Sequence, residues 1–220
     1  MPLRQVETRV SAVVLLSGGL DSAVLAYDLV QQGIPLTAFS MRYGQKHAKE
    51  IEAASRIAES LEIEHQIVDL SAIGIPLFGG SSLTDGGKVP HGHHEAAIQK
   101  STVIPNRNMV MIALATSLAI QKRCTRVYFA SHLGDREIYN DCRREFLDAM
   151  GKAMVLADDH RVQLHFPYCK MSKSEIARRG VFLKVPFSKT WTCYEGGDEP
   201  CGKCGACRER NEALSVGNCV

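Results

Sequence analysis

The sequence predicts an α/β protein built on a parallel sheet with helices on both faces. Short apolar segments with strand periodicity alternate along the chain with longer segments of helical periodicity, as expected of consecutive strand and helix units. A turn with two adjacent glycines joins the first predicted strand to the first predicted helix. The 220 residues suffice for one substantial core with a small appendage.

The predicted elements follow one another in a regular order. Strands are expected at about 10–17, 35–43, 63–70, 126–131 and 162–167. Helices are expected at about 20–32, 47–61, 109–121, 143–157 and 172–181. Ligands of such a sheet bind at the carboxyl ends of its strands, and the glycine turn lies at one of these ends.

Two regions interrupt this order and suggest how the chain is divided. Residues 71–101 are rich in Gly, Ser and Pro and too long for an ordinary connection, so they form either a functional lid, which we favour, or a disordered insert. The chain from Trp191 onward has turn composition and dense cysteine. We therefore expect a main domain over 1–190 and a metal-binding segment over 191–220 that packs on it.

Charge and hydropathy indicate a small-molecule substrate. With 26 basic and 24 acidic residues the net charge is +2, which gives no overall field for nucleic acid or an anionic membrane. No apolar run approaches the roughly 20 residues that cross a bilayer, and the first residues lack the apolar core of a signal peptide. We expect a cytoplasmic protein without direct nucleic-acid or membrane contacts.

The glycine turn, SGGLDS at 17–22, has the chemistry of an anion-binding loop. Gly18 and Gly19 permit backbone geometry closed to other residues and expose N–H groups at a helix N-terminus. Ser17 and Ser22 add hydroxyl donors, whereas Asp21 would repel phosphate unless a metal or a helix end offsets its charge. The turn therefore suggests a nucleotide with Mg²⁺, although such a turn also serves as a plain tight connection.

Four cysteines near the C-terminus predict a metal site. Cys193, Cys201, Cys204 and Cys207 have the spacing C-x7-C-x2-C-x2-C, which closes a tetrahedron around Zn²⁺. Four thiolates leave no open position, so the metal would organise structure rather than activate water. An iron–sulfur cluster or free redox thiols are the alternatives.

Several motifs together identify a family resemblance. The string SGGxDS resembles the pyrophosphate-binding loop of the PP-loop ATPases. It departs from the P-loop kinase pattern, because no Gly-Lys-Ser/Thr follows it. With YGQKH at 43–47, TVIPNRN at 102–108, IYNDCR at 138–143 and TWTCYEGGDEPCGKCGAC at 190–207, nearly the whole chain resembles the 7-cyano-7-deazaguanine synthases of queuosine-precursor biosynthesis. The resemblance implies a Rossmann-type fold of the adenine nucleotide alpha hydrolase kind and a homodimer.

The resemblance also implies a reaction. A 7-carboxy-7-deazaguanine, ammonia and ATP give an acyl-adenylate and then the amide, and a second ATP activates the amide so that loss of AMP leaves the nitrile. AMP supplies the leaving group in both steps, so the protein mainly positions partners and neutralises phosphate charge.

Residue roles carried over from the family fall into three groups. Pyrophosphate would contact Ser17, Gly18, Gly19, Leu20, Asp21 and Ser22, and adenosine would lie near Tyr43, Gln45 and His47. The deazaguanine acid would contact Arg107, Asn108, Asp135, Tyr139, Asp141 and Arg143. The residues expected to carry the reaction are Asp21, Ser22, Arg107 and Lys173.

Plainer roles exist for several of these residues. Lys173 is equally expected as a solvated helix lysine, Asn106 beside Arg107 as a helix cap, and Asp141 as a capping residue in a surface turn. Asn140 stands where the family commonly has proline, which leaves the acyl acceptor open.

Three other functions are compatible with parts of the chain. A divergent relative would stop at the amide or transfer the acyl group to another amine. A PP-loop tRNA sulfur-transfer enzyme would need a basic RNA face, which the net charge disfavours. A zinc-ribbon interaction module would leave the first 190 residues unexplained.

Overall fold

The protein is an α/β structure with a five-stranded parallel sheet, as the sequence predicts. A computed structural model describes residues 11–45, 49–84, 87–92 and 99–216. Its strands are β1 (Ala12–Leu15), β2 (Leu36–Arg42), β3 (Glu64–Asp69), β4 (Arg126–Tyr128) and β5 (Gln163–His165). The strand order is β3-β2-β1-β4-β5, and every pairing is parallel. All five strands lie within the predicted segments.

Eight α-helices occur in the described part of the chain. They are α1 (Leu20–Gln31), α2 (Lys49–Ser60), α3 (Ser71–Phe78), α4 (Arg107–Gln121), α5 (Asp135–Ile138), α6 (Arg144–Ala157), α7 (Lys173–Phe182) and α8 (Gly205–Val216). Short 3-10 turns occupy Lys100–Thr102, Asn140–Cys142 and Phe187–Lys189. Helix α7 begins with a capping box, in which Ser172 Oγ accepts from Glu175 N and the Glu175 carboxylate accepts from Ser172 N.

The central strand β1 separates two apolar layers. Val14 and Leu16 are fully buried on the side of α1, α2 and α7. Val13 and Leu15 are buried on the opposite side, with α4, α6 and the cysteine segment. Because successive strand residues point to opposite faces, this apolar run serves both layers and places the residues after it at the edge of the sheet.

The sheet order opens a crevice beside β1. The chain moves outward from β1 to β2 and β3, then crosses back so that β4 pairs with the other side of β1. Ligands of open α/β sheets bind at such a switch point, outside the carboxyl ends of the strands. The glycine turn follows β1, and residues 129–135 follow β4, so the two segments meet there.

The segment predicted as a lid or a disordered insert contains ordered structure. It includes α3, and Phe78 and Leu83 are 2% exposed in the same apolar cluster as Phe39. Near its middle, Gly92 N donates to Lys203 O at 3.1 Å, and His91 forms an antiparallel bridge with Cys204. The described parts of this insert therefore pack on the core and the cysteine segment.

The sequence predicts turns throughout the C-terminal segment, and this prediction is wrong for Gly205–Val216, which forms α8. Arg, Glu, Ala and Leu dominate this stretch, and these residues favour helix. Ala213 is 2% exposed against the α1 and α7 layer. The cysteine-rich composition concealed a helix that joins the core.

The described chain contains one long apolar helical stretch. Within the part of the chain that the structure describes, Lys100–Gln121 is long and apolar enough to cross a membrane by length and composition, contrary to our expectation from sequence. Ile112, Ala115 and Ala119 on it are fully buried in the core layer below the sheet. The core helix of a soluble protein passes the same test, so the stretch is weak evidence of a span.

Candidate active site

The conformation of the turn after β1 is stabilised by its own glycine and serine residues. Gly18 has φ +83°, and a Cβ added there would overlap Glu50 O, so no other residue fits. Ser17 N donates to Ser22 Oγ at 3.2 Å, and Gly19 N donates to Ser17 Oγ at 3.3 Å. Gly19 precedes α1 without any side-chain cap among the described residues. The first turn of α1 is thus available to an anion.

The cysteine segment contacts this turn through Trp191. Trp191 N donates to Gly18 O at 2.9 Å, and its indole Nε1 donates to Cys193 O at 3.0 Å. Lys49 Nζ lies 5.2 Å from the centre of the indole ring. The turn at 17–22 and Cys193, the first of the four clustered cysteines, are therefore both hydrogen-bonded to Trp191.

Lys173 lies beside the loop in a charged cluster, not in solvent. Its Nζ is 3.2 Å from Asp21 Oδ2 and 2.7 Å from Glu209 Oε2, and its side chain is 12% exposed. Burial alone would lower the pKa of Lys173, but the carboxylates of Asp21, Glu209 and Asp135 raise it. The lysine stays charged, and the hypothesis of a solvated helix lysine is wrong.

His132 is the buried centre of this cluster. Its ring is 1% exposed, and Nδ1 accepts from Gly134 N at 3.1 Å, which places the proton of the neutral ring on Nε2. Nε2 lies 3.4 Å from Asp135 Oδ1, 4.0 Å from Asp21 Oδ2 and 3.9 Å from Glu209 Oε1. It makes no hydrogen bond with the described residues.

Asp135 belongs to the same charged cluster. Its Oδ2 accepts from His132 N at 3.2 Å. Burial raises the pKa of Asp135, with Asp21 adding to the effect and His132 and Lys173 opposing it. Asp135 lies near the loop after β1, whereas Asp141 binds the start of α4 and Arg143 is exposed. The common role of these residues in substrate binding stays a prediction.

Arg107 and Tyr43 form the opposite, more aromatic end of the site. Arg107 Nη1 lies 3.5 Å from Tyr43 OH, and its Nε donates to Asn108 Oδ1 at 3.3 Å. Burial would lower the pKa of Arg107, but Tyr43, Tyr139 and Asp141 raise it. Tyr139 OH is 3.2 Å from Thr102 Oγ1. The guanidinium is thus a permanent cation among phenols.

Asp141 supports the start of α4. Its Oδ2 accepts from Asn108 N at 3.0 Å, which is the capping role considered as the plainer alternative. Asn106 adopts φ 60° without a side-chain cap bond, so it does not cap the helix as that alternative proposed. Arg143 is exposed and donates to Arg136 O at 3.1 Å.

Both polar ends line one cleft with a volume of about 190 Å³. The predicted residues that line it are Ser17, Gly19, Leu20, Asp21, Tyr43, Gln45, Arg107, Asn108, Asp135, Tyr139 and Lys173. Gly18, Ser22, Asp141 and Arg143 lie outside the lining, and His47 lies outside the described residues. The glycine turn and the buried Arg107 guanidinium therefore line the same cleft.

Sequence reasoning missed several lining residues. Glu209, Trp191, Tyr194 and Thr102 face the cleft but were given no role from sequence. Trp191 and Tyr194 lie inside the TWTCYEGG motif, so that motif could have identified them. His132 follows β4 at the predicted ligand-binding edge, which is the signal that could have found it.

The four cysteines form a group that can bind a metal. The sulfur atoms of Cys193, Cys201, Cys204 and Cys207 lie within 4.8 Å of one another. Cys201 N donates to Cys193 Sγ at 3.3 Å, and Cys204 N donates to Cys201 Sγ at 3.3 Å. Gly202, at φ +67°, lets the backbone fold around the sulfurs. This donor set fits a thiophilic ion.

Comparison with known proteins assigns a family to this arrangement. The model of a family described as queuosine biosynthesis protein QueC matches residues 11–217. The chain is 48% identical over 203 residues to a 7-cyano-7-deazaguanine synthase of Hahella chejuensis, covering 92% of this chain and 87% of that protein. It is 45% identical over 204 residues to that of Caldicellulosiruptor saccharolyticus, covering 92% and 90%.

Solved structures support the fold. An NMN synthetase from Francisella tularensis superposes with a TM-score of 0.53 at 19% identity, covering 96% of this chain and 85% of that one. A 4-thiouridine synthetase in complex with RNA and bound ATP superposes with a TM-score of 0.54 at 14% identity, covering 96% and 51%. At these identities the likeness concerns the fold alone.

Proposed function

The chain belongs to the QueC family of queuosine biosynthesis proteins, and on that basis we propose that it is an ATP-dependent ligase that converts 7-carboxy-7-deazaguanine and ammonia to 7-cyano-7-deazaguanine. The observation that carries the proposal is that an anion-binding turn and the Arg107 guanidinium line one cleft. Relatives with the synthase name are 48% and 45% identical to the chain over most of their length.

The reaction needs two activations. A carboxylate oxygen attacks the α-phosphorus of ATP and pyrophosphate leaves. Ammonia then attacks the acyl carbon, and AMP, which carries the carboxylate oxygen, leaves together with one N–H proton. In the second round the amide oxygen attacks another α-phosphorus, and pyrophosphate and one N–H proton leave. Loss of AMP and the second N–H proton then gives the nitrile. The protein has to place these groups and balance phosphate charge.

We assign ATP to the loop end of the cleft. The turn Ser17 to Ser22 would hold the phosphates at this end, and Lys173 would face the leaving pyrophosphate. Adenosine would extend from there toward the Arg107 end, near Tyr43 and Gln45, and His47 keeps its predicted role beside it. The carboxylate atom Asp21 Oδ1 is buried without a hydrogen-bond partner in the described chain, which fits a bound cation. Mg²⁺ held by Asp21 would neutralise phosphate charge when bound.

We assign the deazaguanine acid to the other end. Arg107 would hold its carboxylate by a charge-assisted hydrogen bond, with Asn108 and Tyr139 beside it. Asp141 would act through the start of α4, whose backbone it binds. Asp135 lines the cleft beside His132, whereas Arg143 is exposed outside the lining, and the contacts of both residues with the acid stay predictions from the family resemblance.

Three finer assignments complete the proposal. Zinc is the ion proposed for the four cysteines, since four thiolates close its tetrahedron and leave it a structural role. A homodimer and a cytoplasmic location are proposed from the family resemblance.

The stoichiometry of ATP cleavage tests the function. With ATP, Mg²⁺, ammonium and 7-carboxy-7-deazaguanine, we expect AMP and pyrophosphate, at two AMP for each nitrile formed. AMP formation should depend on the acid. Formation of ADP and phosphate would contradict the assignment, as would AMP formation that ignores the acid.

A further inference from the structure

The helix α8 connects the cysteine cluster to the cleft. Cys204 directly precedes α8, and Cys207 lies in its first turn. One turn later, Arg210 Nη1 donates to Thr190 Oγ1 at 2.6 Å and its Nη2 donates to Phe187 O at 2.7 Å. The cysteines and Arg210 together fix both the position and the rotation of the helix.

This placement directs Glu209 into the cleft. Its side chain is 18% exposed, with Oε2 2.7 Å from Lys173 Nζ and Oε1 3.9 Å from His132 Nε2. On the other side, Lys173 Nζ is 3.2 Å from Asp21 Oδ2. The ammonium therefore lies between two carboxylates that come from distant parts of the chain.

Two carboxylate partners, Asp21 and Glu209, restrict the flexible side chain of Lys173 more than one partner would. A lysine side chain has many rotamers, and a single carboxylate partner restricts them less than two partners on opposite sides do. If Glu209 lost its charge, the ammonium of Lys173 would move fully onto Asp21. It would then neutralise the carboxylate that the proposed function assigns to Mg²⁺ and leave the position that faces pyrophosphate.

We propose that Glu209 is a positioning residue that holds Lys173 between the phosphate loop and α8, and that the cysteine cluster supports the reaction through it. The inference rests on the proposed function, because that function places Lys173 on phosphate. Under this proposal the cysteine cluster contributes to the reaction even though four thiolates leave its metal no open position.

The test compares Glu209→Gln with Glu212→Gln, which changes an exposed glutamate in the next turn of α8. Glu209→Gln should lower the maximal rate of AMP formation about tenfold to a hundredfold. The KM for the deazaguanine acid should stay within about twofold, because Arg107 binds the other end of the cleft. Metal content per chain should not change, and Glu212→Gln should behave as the wild type.

A double variant identifies the mechanism. Lys173→Met should reduce AMP formation to a small residual rate in a folded protein, and Glu209→Gln combined with Lys173→Met should keep that same residual rate. Glu209→Asp keeps the charge on a shorter side chain and should recover part of the rate. This variant also decides the question if Glu209→Gln does not fold.

Each contrary result has a separate meaning. If Lys173→Met is inactive while Glu209→Gln and Glu209→Asp are fully active, the positioning role is overturned and the proposed function stands. If Glu209→Gln loses metal together with activity, Glu209 supports the cluster and the positioning role is again overturned. If Lys173→Met retains full activity, the phosphate role of Lys173 and this inference both fail.

Discussion

At the scale of single residues, the position of the Lys173 ammonium depends on two carboxylates, Asp21 and Glu209, from distant parts of the chain. Asp21 belongs to the short motif SGGLDS, and four cysteines of recognisable spacing precede or begin the helix of Glu209. Glu209 and His132 each lie more than a hundred residues from Asp21 in the sequence, yet all three residues belong to one charged cluster. No local pattern marks Glu209, because its environment exists only after folding, whereas the position of His132 after β4 was a usable signal.

Asp21 is the residue whose charge matters most to the loop. Asp21→Asn keeps the size of the side chain but removes one partner of Lys173 and the proposed Mg²⁺ ligand. We expect AMP formation to fall at least about a hundredfold with little change in stability, measured by product analysis and urea unfolding. Glu52→Gln, on the exposed face of α2, is the control. Full activity of Asp21→Asn would contradict the assignment.

The lowered pKa of Asp28 predicts how the free energy of unfolding depends on pH. Burial alone would raise its pKa, but hydrogen bonds from Arg179, Tyr168 and Gln32 lower it below 3.8. The folded state thus binds this proton less tightly than the unfolded state. The stabilisation is complete above about pH 3.8 and is lost as the pH falls through the folded-state pKa.

The variant Asp28→Asn isolates this contribution. It should lower the free energy of unfolding by about 1.5 to 3 kcal/mol at pH 7, because Arg179 loses a charged partner. The difference from the wild type should narrow in acid, as measured by urea unfolding between pH 7 and pH 2. A difference that is the same at every pH would show that the charge of Asp28 contributes nothing.

At the scale of elements, periodicity predicted the strands and most helices, whereas composition misled in the C-terminal segment. Strands β1 to β5 lie inside the predicted ranges because buried parallel strands form nearly continuous apolar runs. Helix α8 was missed because glycine and cysteine at its start resemble a turn. The helix formers that follow were the better signal.

A variant that disrupts the cysteine cluster should also disturb the packing of α8 and of the adjoining segment. Cys204→Ser removes one of the four clustered sulfur atoms, at the residue that directly precedes α8. We expect metal content to fall and the emission of Trp191, the single tryptophan of the chain and 9% exposed, to shift to longer wavelength. Cys219→Ser, outside the four-cysteine spacing, is the control. Unchanged metal content and emission would contradict the assignment of this cysteine.

At the scale of the whole molecule, the sheet order explains why distant segments share one cleft. Because β4 returns to pair with β1, the loop after β1 meets His132 and Asp135, which follow β4. The sequence predicted that ligands bind at this edge of the sheet, but not that α8 would close it. That closure depends on packing between α7 and α8, which no periodicity encodes.

The identity of the product is the most direct test of the proposed ligase. The protein should be incubated with ATP, Mg²⁺, 7-carboxy-7-deazaguanine and ¹⁵N-labelled ammonium, and the products identified by mass spectrometry. We predict a labelled nitrile, formed through a labelled amide that is consumed when more ATP is added. A labelled amide that persists with excess ATP, or no conversion of the acid at all, would contradict the assignment as a 7-cyano-7-deazaguanine synthase.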